Sequence, residues 1–184
     1  MRKLLYSLLL SGCVCTLASS CGDDGNDWTD YAEWRETNLQ WYNTQAERKN
    51  EDGTPFFTRV NPDWYPESKV LIHYFNDRTE TADNLSPLIT SHVTVKYTGE
   101  LYDGTVFDKT TTGSDSERTF QLNGTIVGWQ LALTQMHVGD TCEVIIPYAQ
   151  GYGPQGSESI SPYSTLKFNI RLVDIPQYEI PDIK

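Results

Sequence analysis

Val95-Lys96-Tyr97-Thr98-Gly99-Glu100-Leu101-Tyr102-Asp103-Gly104-Thr105-Val106-Phe107-Asp108 is the stretch from which the fold is read. Strand-forming residues run into Asp103-Gly104 and out again, and Asp-Gly between such runs reads as a hairpin turn. Just upstream, His92 to Tyr97 alternates apolar and polar residues, the period of a strand with one buried face.

Further strands flank this hairpin. Val70 to Phe75 is rich in strand formers, and Cys142 to Ile146 and Thr165 to Leu172 repeat the pattern. Between them the text suits one short helix, near Trp129 to Met136, entered after Gly128 and left at Gly139. The expected domain is α+β, an antiparallel sheet with a single short helix across it, over residues 67–175. A tail, residues 176–184, follows.

Ahead of the domain, Trp28 to Lys49 contains no Gly or Pro, and Trp28, Tyr31, Trp34, Trp41 and Tyr42 recur with a 3.6-residue period. This predicts an amphipathic helix over residues 28–49. Asp27, Asp30, Glu33 and Glu36 load its first turns with acid and Arg48 and Lys49 its last with base, which suits the helix dipole. The aromatic stripe is expected to dock, onto the main domain or as a homodimer through residues 28–49. Asn61 to Pro66 is a turn-rich connector that closes the 28–66 region.

The N-terminus reads as an address. Arg2 and Lys3 precede the apolar Leu4 to Leu10, and small residues follow at Ala18, Ser19 and Ser20, so residues 1–20 are a secretory signal peptide. Leu17-Ala18-Ser19-Ser20-Cys21 resembles a bacterial lipobox, which would make Cys21 the lipidated first residue. Leu10-Ser11-Gly12-Cys13 is the alternative, but it would leave the apolar Val14 to Leu17 on the mature chain. Residues 21–27 form an acidic tether, like the stretch that routes some bacterial lipoproteins to the cell surface. The expected location is the bacterial envelope, with a lipid anchor in the outer membrane and either its periplasmic or its outer face. With Cys21 lipidated and the signal removed, only Cys142 is left, and no internal disulfide can form. Cys142 lies in an apolar run and reads as a small buried hydrophobe.

Composition excludes several classes. The 184 residues carry 14 Lys and Arg against 25 Asp and Glu, a net charge of −11, which repels nucleic acid. At 38% apolar and 12% aromatic, the chain can bury a core. Gly-x-Ser-x-Gly, Cys-x-x-Cys, phosphate loops and His-Glu-x-x-His are all absent. His73, His92 and His137 are scattered without ligand spacing, so no metal and no cofactor is expected.

What remains is a series of aromatic and aliphatic segments joined by glycine turns. Val95 to Asp108 is followed by Phe120-Gln121-Leu122, Ile126-Val127-Gly128-Trp129, Met136-His137-Val138-Gly139-Asp140 and Tyr152-Gly153-Pro154. In order and spacing this resembles the FKBP-type peptidyl-prolyl cis-trans isomerases from about Val70 to Ile175. The resemblance implies a twisted antiparallel half-barrel wrapped around one short helix, with a proline pocket between helix and sheet. By the same resemblance, Trp129 forms the pocket floor; Tyr97, Phe107 and Phe168 form its walls, with Ile126 beside them; Asp108 is the pocket carboxylate; and Tyr152 presents a hydroxyl to the ligand. Ile126 would also offer its backbone N–H to a substrate carbonyl. Thr125 stands where relatives often have Val, and Ile160 takes the place of an apolar rim residue. The implied partners are proline-containing clients and macrolide-type inhibitors. The implied activity is X-Pro isomerisation in exported proteins, with a non-catalytic proline-binding module or a folding chaperone as alternatives. Two departures stand out: Arg118 occupies a position that is usually aromatic, and the loop from Tyr152 to Pro162 is short and lacks a frequent histidine.

Overall fold

A computed structural model describes residues 31–111, 113 and 116–178. Trp28, Cys13, Cys21, the signal segment, the acidic tether and the tail beyond residue 178 lie outside the described residues.

The chain starts with helix α1 (Ala32–Ala46) and continues through strands β1 (Thr58–Arg59), β2 (Leu71–Tyr74), β3 (His92–Leu101), β4 (Val106–Lys109) and β5 (Arg118–Gln121). Helix α2 (Val127–Leu133), β6 (Thr141–Ile146) and β7 (Leu166–Gln177) complete it. The strands form one antiparallel sheet in the order β1-β2-β6-β7-β3-β4, with β5 on β3 beside β4. The hairpin expected at Asp103-Gly104 joins β3 to β4. Gly104 takes a left-handed φ of 85°, and its N–H donates to Leu101 O at 3.0 Å. Strand β1 is too short for any alternation to show in sequence, and β4 and β5 have four residues each.

Alternation sorts the strands' apolar residues onto two faces. Ile72, Val144 and Ile146 join Val93, Val95, Tyr97, Phe168 and Ile170 in the main core, together with Trp129, Leu131 and Leu133 of α2. Leu71 and Ile145 point the other way and meet Tyr42 and Phe57, with Trp41 packed against them. Helix α1 therefore closes the back of the β2–β6 edge.

Both helices differ from expectation in their limits. Helix α2 begins at Val127, so Gly128 lies inside it and does not mark its entry. A β-carbon there would overlap the Ile146 side chain, which explains why only glycine fits. Helix α1 ends at Ala46, leaving Arg48 and Lys49 beyond its last turn. Arg48 stacks its guanidinium on Phe56 at 3.7 Å, and Lys49 pairs with Pro55 as an isolated bridge, so neither serves the helix dipole. The inward stripe of α1 is Trp34, Asn38, Trp41 and Tyr42, and Asn38 is its most buried residue at 1% exposure. A polar side chain at the centre of the stripe makes the helix less amphipathic than its aromatics imply. Asn38 is satisfied there: Thr165 N donates to its Oδ1 at 2.8 Å, and its Nδ2 donates to Trp34 O at 2.9 Å. The Tyr42 hydroxyl donates to Lys69 O at 2.7 Å, and burial raises the pKa of that tyrosine.

Candidate active site

The half-barrel opens a cavity of about 250 Å³ between α2 and the sheet. Its lining is Tyr97 on β3, Phe107 and Asp108 on β4, Phe120 on β5, Gly124, Thr125 and Ile126 before α2, Trp129 in α2, Tyr152, and Phe168 on β7. Trp129 is only 5% exposed and meets Tyr97, Phe120 and Phe168 edge-on at 5.1, 5.6 and 5.3 Å between centroids. Phe107 and Phe168 cross at 90°, 5.5 Å apart. These edge-to-face contacts fix each ring by its neighbours and leave apolar surface facing the cavity. The indole Nε1 of Trp129 is buried without a hydrogen-bond partner.

Register explains why the walls converge. Gly99 pairs with both Asp108 on β4 and Phe168 on β7. It supplies no side chain, so the rings of Phe107 and Phe168 close over it; a β-carbon at Gly99 would lie 2.7 Å from each.

Asp108 is held from two sides. The Tyr97 hydroxyl donates to its Oδ2 at 2.5 Å, and Arg118 Nη1 donates to its Oδ1 at 2.9 Å. The same Nη1 donates to the Tyr97 oxygen at 2.9 Å, which closes a three-membered polar ring. Burial, the hydrogen bond to Asp108 and the charge of Asp108 push the Tyr97 pKa above its ordinary value. Tyr152 is raised as well, first by burial and then by the charge of Asp108. The Ile126 N–H, at the N-cap position of α2, donates to no group among the described residues and is available to a ligand carbonyl.

Seven residues expected to work together, Tyr97, Phe107, Asp108, Ile126, Trp129, Tyr152 and Phe168, thus share one cavity, with Thr125 beside them. Ile160 lies elsewhere: it is 3% exposed, belongs to the main core and does not line the cavity. Its loop closes on itself through paired bonds between Ser157 and Ile160, which fold that residue under the loop. Sequence reasoning did not assign Phe120 and Gly124 to the lining, although β5 alternation puts Phe120 on the face of its partner Val93. It flagged Arg118 only as a departure, whereas that residue supplies a partner for the carboxylate. Among the described residues no group of His, Cys, Asp and Glu could hold a metal ion. Cys142 is fully buried and its thiol pKa is raised by burial, so it presents no nucleophile.

Residues 85–173 match the family described as FKBP-type peptidyl-prolyl cis-trans isomerase. The chain is 46% identical over 90 residues to the FKBP-type 22 kDa peptidyl-prolyl cis-trans isomerase of Escherichia coli, covering 48% of this chain and 43% of that protein. It is 45% identical over 84 residues to the outer membrane protein MIP of Legionella longbeachae, covering 45% and 36% respectively. The fold is similar to a crystal structure of a peptidyl-prolyl cis-trans isomerase from Pseudomonas syringae pv. tomato, with a TM-score of 0.64 and 25% identity over 80% of this chain and 96% of that one. The chain thus spans less than half the length of the curated relatives it matches.

Proposed function

Residues 85–173 form an FKBP-type peptidyl-prolyl cis-trans isomerase domain, and from that premise we propose that the protein accelerates rotation about X-Pro bonds in exported polypeptides. The observation that carries this reading is the aromatic cavity itself, walled by Tyr97, Phe107 and Phe168 over Trp129. Uncatalysed rotation faces a barrier of about 20 kcal/mol, yet no covalent bond has to break. A planar amide is resonance-stabilised and polar; twisting it localises the nitrogen lone pair and weakens charge separation. A dry aromatic cavity therefore favours the twisted amide over the planar one. A thousandfold acceleration requires only about 4 kcal/mol. In this reading the proline ring lies on Trp129, while the Ile126 N–H and the Tyr152 hydroxyl orient the flanking carbonyls. Asp108 acts electrostatically, since each of its oxygens is already held by a hydrogen bond, from Tyr97 and from Arg118, and the rotation requires no proton transfer. Macrolide-type inhibitors are proposed to compete for the same cavity.

The working domain in this proposal is residues 67–175, with 28–66 as its N-terminal arm and 176–184 as its tail. A protease-coupled assay on X-Pro tetrapeptides tests the proposal. A folded chain that gives no acceleration on any such peptide would replace turnover with proline docking. The stripe of α1 is covered by its own chain, so a homodimer through residues 28–49 is not required to bury it.

For location we propose a lipid anchor at Cys21 after removal of residues 1–20, with Cys13 as the other candidate. Among the described residues no helix is long and apolar enough to cross a membrane. The named relative in an outer membrane supports an envelope site. Mass spectrometry of the mature N-terminus should find lipid on Cys21; an unmodified terminus further along would remove the anchor.

A further inference from the structure

The loop between the 3₁₀ turn Tyr148–Gln150 and β7 carries Tyr152 and has little regular structure of its own. Besides the short-range bonds that close its own turns, its end is tied back to its start where Tyr163 N donates to Gly153 O at 3.0 Å. Tyr163 is the one non-glycine residue described with a positive φ, 61°, a conformation that persists only where its surroundings impose it. Those surroundings include helix α1. The Tyr163 ring lies 5.3 Å from Tyr148 and 6.3 Å from Tyr31, with the Arg35 guanidinium 5.6 Å from its centroid.

The next two loop residues are gripped by the following turns of the same helix. Trp34 Nε1 donates to Ser164 Oγ at 3.3 Å, Asn38 Oδ1 accepts from Thr165 N at 2.8 Å, and Thr165 Oγ1 donates to Asn38 O at 3.3 Å. Residues 163, 164 and 165 are therefore held in order by positions 31 and 35, then 34, then 38, which share one face of a helix. Trp34 also packs edge-on against Tyr102 at 5.3 Å, in the hairpin whose second strand bears Phe107 and Asp108. One helix thus touches two of the segments that flank the cavity mouth.

We propose that α1 is a strap on the site, with Asn38 and Trp34 as positioning residues that hold the Tyr152 loop and the β3–β4 hairpin in the arrangement that receives substrate. The proposal rests on the isomerase reading above. Neither residue lines the cavity, so their effect passes through the loop. Releasing the strap lowers the fraction of molecules with a competent rim and raises the apparent substrate constant by the same factor. Once substrate is seated, Trp129 and the aromatic walls are unchanged, so the rate of the bound complex is not the quantity affected.

The test uses the full chain and its Asn38→Ala variant, with KM and kcat measured on an Ala-Leu-Pro-Phe anilide and amide hydrogen exchange followed at Tyr163 and Gly156. The expected result is faster exchange at both amides, unchanged protection in β3 and β7, KM raised about fivefold and kcat within about twofold. Trp34→Phe keeps an aromatic ring while it deletes the bond to Ser164 and trims the contact with Tyr102, so it should move KM in the same direction by about twofold. It decides the matter alone if Asn38→Ala does not fold. Faster exchange with KM unchanged would reduce α1 to a structural role, and unchanged exchange would remove the strap altogether. A folded wild-type chain without activity would instead end the isomerase reading, an outcome distinct from either.

Discussion

Asp108 has a hydrogen bond on each oxygen, and at the residue scale this decides how the site can work. A carboxylate shared between Tyr97 and Arg118 is fixed in direction, and in the proposed function its contribution is a steady field at the cavity mouth. Asp108→Leu preserves approximate volume and deletes that field; the protein should stay folded by circular dichroism while turnover and macrolide-type inhibitor binding both fall. Arg118→Met keeps an unbranched stem and removes one anchor, so the carboxylate should swing and turnover should drop with little change in thermal stability. Because the raised pKa keeps the Tyr97 hydroxyl protonated as a donor, kcat/KM should be flat through neutrality to about pH 9.5, below the ordinary tyrosine value of about 10. An alkaline limb beginning near pH 8 would contradict that assignment. Gly99→Ala tests the walls from beneath, since a methyl group 2.7 Å from Phe107 and Phe168 has to push both rings into the cavity. Activity on X-Pro peptides should be lost well before the fold is.

At the scale of elements, the close approach of α2 to β6 sets the depth of the cavity. Gly128 rests against Ile146, so Gly128→Ala must lift the helix and carry Ile126 and Trp129 with it. Urea unfolding should show a loss of about 1–3 kcal/mol, the usual range for overpacking a close contact. Trp129→Ala removes the ring at the centre of the aromatic set and should lower stability by about 3–5 kcal/mol along with activity. The long strands β3 and β7 were legible through their parts from His92 to Tyr97 and from Thr165 to Leu172, where apolar residues alternate; the structure extends them to ten and twelve residues. Strand β4 was legible only as the second arm of the Asp103-Gly104 hairpin, and β5 was not legible at all, because four residues hold too few repeats and its pairing with β3 depends on the tertiary fold. Similarly, the aromatics of α1 announced a packing face, but Asn38 at its centre makes sense only once the Thr165 backbone lies opposite.

For the whole molecule, one buried acid links distant parts of the chain. Asp140 has no exposed side-chain surface, and it gathers Arg78, Asn76, Thr81 and the His137 backbone N–H around its carboxylate. Burial works against its charge, but the His137, Thr81 and Asn76 hydrogen bonds and Arg78 outweigh that and hold its pKa below the ordinary value. A depressed folded pKa means that the stabilisation is complete above the unfolded carboxylate value of about 4 and is lost as pH falls through the folded one. Thermal unfolding of wild type and Asp140→Asn should therefore differ widely at pH 7, with the gap narrowing toward pH 2. A gap of constant size across that range would show that the carboxylate's charge is not the stabilising feature.

The sequence alone determined an antiparallel α+β domain and the hairpin at Asp103-Gly104, because alternation and turn chemistry are local properties of the chain; the half-barrel and the seven residues that line one cavity were implied by the order and spacing of segments that resemble the isomerase family. Tertiary structure alone decided the rest. Ile160 went to the core because a loop's path is set by bonds between its ends, and Arg118 became a partner of Asp108 because β4 and β5 run along the same edge of β3. Helix α1 acquired the Tyr152 loop as its neighbour through contacts more than 120 residues apart in sequence, between Asn38 and Thr165 and between Trp34 and Ser164. Such contacts form only once the sheet has brought the two segments together, so no pattern within either segment could announce them.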